Sequence, residues 1–352
     1  MKIFTIIGAR PQFVKCAPVS AALRKEHPEF LVHTGQHYDE NMSHIFFDEM
    51  GIPKPNVNLN VGSGTHATQT AAMMTGLEPL MLEQKPDAVM IYGDTNSTVA
   101  GALVAAKLHI PVIHIEAGLR SFNLKMPEEI NRIVADRLSK ILCCPTETAI
   151  ENLAKEGITN GVINTGDVMY DAVLMFKPLS EKSKFPEILG TKSKEYNLIT
   201  IHRASNTDNT DNLLNILNGA NDSSRHSIFP IHPRTKNIMK NNGISIDSFK
   251  NIKFIEPLGY LDFMALAANA KTITTDSGGL QKEAYWHGVP CITVRNETEW
   301  VETVESGWNC LIGPDREKIT NALMNFSPSG ERPEYYGNGN ASGKIVEAIN
   351  LD

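Results

Sequence analysis

Four residues have the types and placement for shared proton chemistry: Asp94, Glu116, Glu128 and His202. Asp94 sits in "GDTNS", just after the apolar run "DAVMIY". Glu116 follows "PVIHI", Glu128 lies in "MPEEINR", and His202 follows "NLITI". A carboxylate at the end of a buried strand holds its proton more tightly unless a cation pairs with it. Several such acids in one cleft push one another's pKa values apart, which is how an acid and a base arise from one residue type. Ordinary ion pairs offer another account of the same letters, with Glu116 on Arg120 and Glu128 or Glu129 on Arg132 at helical spacing. For any single glutamate the ion pair is the stronger account; for three acids at successive strand ends it is the weaker one.

Two further segments have the chemistry to hold an anion. "IIGARPQ" sets Gly8 and Arg10 between an expected strand and helix, where backbone N–H groups and a guanidinium would face negative charge. It is neither G-x-G-x-x-G nor a Walker loop, and a tight turn with a solvated arginine reads it equally well. In "TTDSGGLQKEA", Ser277, Gly278 and Gly279 open a predicted helix whose dipole favours a phosphate. Glu283, one turn beyond Gly279, is placed to accept hydrogen bonds from vicinal ribose hydroxyls. Asp276 or Ser277 acting as an N-cap gives the same letters, but a cap alone does not call for two glycines.

The elements that must position these residues alternate. Short β-branched runs ("KIFTII", "FLVHT", "DAVMIYG", "PVIHIE") are separated by helical patterns, the signature of β-α-β units on a parallel sheet. After looser sequence around "TGDVMYDAVLMFKPLSEKSKFPEILG", a second series begins with "NLITIHR", "SIFPIHP", "KFIEPL", "KTITTDSGG" and "PCITVRN". The expected fold is α/β, two doubly wound Rossmann-like domains facing a central cleft. The expected domains are 1–168, carrying the carboxylates, and 169–342, with a terminal helix over 343–352 packing back on the first. Ligands belong at the carboxyl ends of such strands.

The composition fits that reading and narrows the partners. The 352 residues suffice for two cores, and 33 Lys and Arg against 40 Asp and Glu leave a net charge of −7 with no dense basic block, which argues against nucleic acid. The apolar run at the N-terminus is too short for a signal peptide or a membrane span, so a cytosolic protein is expected. Cys16, Cys143, Cys144, Cys291 and Cys310 form no C-x-x-C, so reduced thiols and no metal site are expected.

Taken in order, "GARPQFVK", "GQHYDENM", "GDTNST", "HIEAGLRS", "MPEEINR", "CPTETA", "TIHRASN", "IHPRTK" and "TDSGGLQKEA" resemble the non-hydrolysing UDP-N-acetylglucosamine 2-epimerases over essentially the whole chain. These enzymes are similar to two-domain glycosyltransferases of the GT-B type. The resemblance implies no cofactor, a homodimer, and elimination of UDP across C1–C2 to a 2-acetamidoglucal followed by re-addition. It implies Asp94, Glu116 and Glu128 as catalytic carboxylates and His202 as the active-site histidine. It also places Arg10 and Lys15 on the substrate phosphates, Ser277, Gly278 and Gly279 at the phosphate turn, Glu283 on the ribose and Phe263 against the uracil.

Departures bear on the sugar. "TEWVE" stands where T-E-R-P-E is common, so Trp300 replaces a substrate-facing arginine; Leu258 replaces a frequent glutamine, and "GARPQ" replaces G-T-R-P-E. These changes resemble members acting on a UDP-2,3-diacetamido-uronic acid. Some members are activated by UDP-GlcNAc at a second site; Gln36 and His37 keep that motif, while Tyr38 and Asp39 depart from it. A GT-B glycosyltransferase using a UDP-sugar is the nearest rival function. A hydrolysing epimerase would need a fused kinase domain, and a nucleotide-sugar sensor would have no use for several acids.

Overall fold

The computed structural model describes residues 1–36, 51–328 and 330–350. His37, Tyr38 and Asp39 therefore lie outside the described residues. The chain divides into two compact units, one formed by Met1–Met175 with the segment from Glu334 onward, the other by Phe176–Pro333.

In the first unit, β1 (Ile3–Ile7), β2 (Glu29–His33), β3 (Val57–Asn58), β4 (Ala88–Tyr92), β5 (Val112–Ile115), β6 (Ile141–Cys144) and β7 (Val162–Asn164) form one sheet in the order β3-β2-β1-β4-β5-β6-β7. Every pairing is parallel. The strands read as unbroken apolar runs because helices cover the sheet on both sides. Phe4, Ile6, Val89 and Ile91 pack with Met73 and Leu77 of the helix His66–Gln84 and with Val104 of the helix Asn96–Lys107. Strand order reverses between β1 and β4, the switch point at which such sheets hold ligands. The terminal helix Ala341–Asn350 is fastened by Asp171, whose carboxylate accepts from the N–H groups of Ala341 and Ser342 at 3.0 and 2.7 Å.

The second unit repeats the plan. Its strands are β8 (Asn197–Thr200), β9 (Ser227–Pro230), β10 (Ile252–Ile255), β11 (Thr272–Thr275), β12 (Cys291–Thr293) and β13 (Asn309–Leu311), in the order β10-β9-β8-β11-β12-β13. Alternate residues enter opposite cores, as the pleat requires. Leu198 packs with Leu266, Leu280 and Ala284 on one face; Ile199 packs with Leu213, Leu217 and Ile319 on the other. The switch point falls between β8 and β11, so "HRASN" and "DSGG" leave the sheet side by side.

One packing feature of this unit carries a pH signature. Burial, reinforced by the positive charges of Lys194, Lys177 and Arg332, lowers the His287 ring to about 4. The unfolded ring takes its proton near 6.5, so between those values the unfolded chain binds more protons and acid favours it. Stability should therefore fall by on the order of 3 kcal/mol as pH drops from about 6.5 towards 4. Urea unfolding across that window should show a shallower pH slope for His287→Gln than for the wild type.

Candidate active site

The register of β4 and β5 sets Tyr92 beside Ile115, so Gly93 and Glu116 leave the sheet as neighbours, and the Gly93 N–H donates to the Ile115 carbonyl at 2.9 Å. Gly93 has φ +59°, and a Cβ there would lie 3.3 Å from the Glu116 carboxylate and 3.5 Å from the Lys15 ammonium. Only glycine suits both demands. Glu116 itself adopts φ +69°, a left-handed conformation that costs a residue with a side chain about 1–3 kcal/mol. Cys143 holds it there, its carbonyl accepting from the N–H groups of Glu116 and Ala117 at 3.1 and 3.0 Å.

Of the ion pairs that helical spacing offers, Glu129 with Arg132 is present and Glu116 with Arg120 is not. Glu116, 8% exposed, is engaged by the Lys15 ammonium from the helix Arg10–Leu23, not by Arg120. Arg120 instead donates to Asp136 at 2.7 Å and forks onto Glu156 at 2.6 and 2.9 Å. Segment 116–120 is a turn rather than a helix, so four-residue spacing does not make Glu116 and Arg120 neighbours.

Glu128 and Glu129 occupy the first turn of the helix Pro127–Leu138, where their charge opposes the positive end of the helix dipole. Glu129 is buried and accepts from the Ser121 and Phe122 N–H groups at 2.9 and 2.8 Å, which folds the preceding loop back onto the helix. Arg132 donates to Glu129 at 2.8 Å and to Asp94 at 2.5 Å. Glu128 is half-buried one turn before Arg132 on the same face. Asp94, Glu116 and Glu128 thus all sit at the carboxyl edge of one sheet.

Of the two accounts of "GARPQ", the backbone N–H groups do not follow the anion-facing one. Those at Gly8 and Ala9 are taken by the Gln12 side-chain oxygen at 2.7 and 3.0 Å, so they do not stand open to an anion. The Gln12 amide also donates to the Tyr92 carbonyl at 2.8 Å and to Thr95 at 3.0 Å, tying the loop after β1 to the loop after β4. Arg10 opens the helix, half-buried. Nothing in the residue types marked Gln12 as a bridge, because its partners come from a different loop.

In the second unit, neither candidate cap closes the helix Gly278–His287. Asp276 is fully buried and accepts from the N–H groups of His202 at 3.2 Å and Arg203 at 3.0 Å, and from the Asn206 amide at 3.1 Å. The Ser277 side chain makes no capping hydrogen bond. The first-turn N–H groups therefore lack a side-chain cap, the condition that suits an anion. A Cβ at Gly279 would meet nothing within 4 Å, while one at Gly278 would approach the Trp300 indole nitrogen at 3.3 Å.

Glu283 is 6% exposed, and Phe263 and Leu258 pack half-buried against the core. The Lys282 ammonium, itself buried, lies 3.7 Å from the Trp300 ring centroid, an arrangement that fixes the indole beside the glycine turn. His202 is 44% exposed at its side chain, with Nδ1 3.5 Å from Asp276 and its ring 6.0 Å from that of His232.

Comparison with known proteins agrees with this architecture. A family model described as UDP-N-acetylglucosamine 2-epimerase matches residues 21–350. The chain is 53% identical to a UDP-N-acetylglucosamine 2-epimerase homolog of Methanococcus maripaludis over 99% of both chains. It is 45% identical, with the same coverage, to the UDP-2,3-diacetamido-2,3-dideoxy-D-glucuronate 2-epimerase of Pseudomonas aeruginosa. The crystal structure of the Methanocaldococcus jannaschii UDP-GlcNAc 2-epimerase in complex with UDP-GlcNAc and UDP superposes with a TM-score of 0.93 at 43% identity, covering all of both chains.

Arg132 is the cation shared by Asp94 and Glu129. Arg132→Met should lower the unfolding free energy by about 3 kcal/mol, because it leaves Glu129 buried without its guanidinium. Adding Glu129→Gln should recover part of that loss in urea denaturation. An Arg132→Met protein as stable as the wild type would show that the pair contributes nothing.

Proposed function

The chain belongs to the UDP-N-acetylglucosamine 2-epimerase family, and we propose that it interconverts UDP-GlcNAc and UDP-ManNAc by elimination and re-addition of UDP. It is an isomerase. Carbon 2 of such a sugar has no adjacent carbonyl to acidify its proton. Elimination provides another route: a base takes the C2 proton, the C1–oxygen bond breaks, and UDP departs with the electron pair. Re-addition of UDP with protonation at the opposite face of C2 gives the epimer.

The observation that supports this reading is the set of three carboxylates, Asp94, Glu116 and Glu128, at the carboxyl edge of the first sheet, two of them held by cations. The reading assigns base and acid to this set. The reading also gives His202, in the second unit, the role of a catalytic histidine. Lys15 and Arg10 would stabilise charge developing on the departing phosphates. Ser277, Gly278 and Gly279 would receive the pyrophosphate at the helix start, with Glu283 on the ribose and Phe263 on the uracil.

A second substrate has its own support. Trp300 stands where an arginine is common, Lys282 lies against it, and one relative is named for a diacetamido-glucuronate. The same elimination on a UDP-2,3-diacetamido-2,3-dideoxy-glucuronic acid would use the same carboxylates. The reading also takes the enzyme as a cytoplasmic homodimer, which light scattering on the purified protein checks for its oligomeric part.

Incubation with UDP-GlcNAc in D2O should place deuterium at C2 of both epimers, read by NMR. Unchanged UDP-GlcNAc would remove that substrate and move the assay to the diacetamido-uronate; no exchange in either would overturn the reading. Asp94→Asn and Glu116→Gln should each lower kcat by about 10²–10⁴-fold while UDP still binds. Glu283→Ala should weaken UDP by about tenfold or more in calorimetry.

A further inference from the structure

The three carboxylates sit on three separate pieces of backbone: the loop after β4, the end of β5, and the helix Pro127–Leu138. One buried side chain touches all three pieces. His114, on β5 and two residues before Glu116, is fully buried. Its Nε2 lies 2.7 Å from the carbonyl oxygen of Gly93, the residue before Asp94. Its Nδ1 lies 2.7 Å from the carboxylate of Asp136, on the helix that carries Glu128.

A carbonyl oxygen and a carboxylate both accept, so a neutral ring would turn a lone pair towards one of them. With Asp136 ionised, the two contacts are satisfied together only when both ring nitrogens donate. Asp136 is built to receive such a donor. It also accepts from Arg120 at 2.7 Å and from the Gly118 N–H at 3.2 Å. Burial pushes its carboxyl up, but the hydrogen bond and charge of His114, with those of Arg120, outweigh burial and hold it below the ordinary carboxylate range. Among the described residues, the other titratable groups around the pair are Glu156, held by Arg120, and the buried Cys144 thiol, which burial and then Asp136 raise.

We propose that His114 is a positioning residue for the epimerisation, its doubly donating ring locking Gly93, and so Asp94, to the helix of Glu128 at the strand end of Glu116. This rests on the proposed function for its kinetic consequence and on geometry alone for the ring's protons. Glu128, Arg132 and Asp136 lie at successive turns of one helix face, so anchoring Asp136 fixes the tilt at which Glu128 is presented. Misplacing a reacting group by about 1 Å costs on the order of 100-fold in rate.

His114→Gln keeps a donor for one partner at most, and Asp136→Asn keeps the shape while weakening the acceptor. Each should lower kcat by about 100-fold while KM and the dissociation constant for UDP stay within about threefold of wild type. UDP binding by the second unit reports that this unit is folded, and a wild-type near-ultraviolet circular dichroism spectrum with cooperative urea unfolding reports the fold of the first, where His114 and Asp136 lie; loss of either signal in step with the rate would overturn the proposal. A kcat within about threefold of wild type in both variants would overturn the proposal, as would a loss of UDP binding that matches the loss of rate. Independently of turnover, nitrogen NMR of histidine-labelled wild-type protein should show a proton on both His114 ring nitrogens, assigned by their loss in His114→Gln. A bare ring nitrogen would overturn it. Failure of the wild type to epimerise either sugar would count against the proposed function and leave the ring measurement as the test of the dyad.

Discussion

Buried carboxylate charge is the constraint that organises the first unit. Asp136, Glu129 and Glu116 are all nearly or fully withdrawn from water at the edge of a parallel sheet, where an isolated carboxylate costs several kcal/mol. Each is met by donors of opposite or partial positive charge: His114 and Arg120 for Asp136, Arg132 and backbone N–H groups for Glu129, Lys15 for Glu116. The loops between strand and helix have the shapes these pairings require. Gly93, Glu116 and Gly118 in these loops have left-handed backbone, and of the three only Glu116 carries a side chain there. Strain of this kind persists only where surrounding contacts over-determine it.

The second unit handles one buried acid in another way. Asp276 directs its carboxylate to the backbone of the neighbouring "HRASN" loop, so it shapes that loop and leaves the following helix without a side-chain cap. A capped helix would satisfy its own N–H groups and compete with any anion. The Gly278–Gly279 start keeps side chains away from the turn, and Trp300, held by Lys282, forms a wall beside it.

Much of this was legible in the sequence. Alternation of β-branched runs with helical patterns gave two parallel sheets, because strands covered on both faces must be apolar throughout. Glycine-containing strand ends fell where the structure puts each sheet's switch point. The pairings of Glu116 and Arg120 were not legible, since helical spacing was applied to a segment that turns. The two accounts of "GARPQ" stayed undecided for a related reason. Gln12 closes that turn with an amide whose other partners, Tyr92 and Thr95, lie 80 and 83 residues along the chain.

The sequence by itself determined the two-fold repetition of the architecture, the order of the motifs, and the positions of Asp94, Glu116, Glu128 and His202 at strand ends or a helix start. Those are local properties, set by side-chain pattern and turn chemistry over a few residues. Arg132 meeting Glu129 is a local helical pair that the spacing offered, but which cation meets Glu116 and Asp136 was decided only by tertiary structure. Lys15 and Glu116 are 101 residues apart, and His114 and Asp136 are brought together by the packing of a helix against β5. Such contacts follow from strand order and helix placement, and an ion pair between distant residues leaves no periodic trace in the chain.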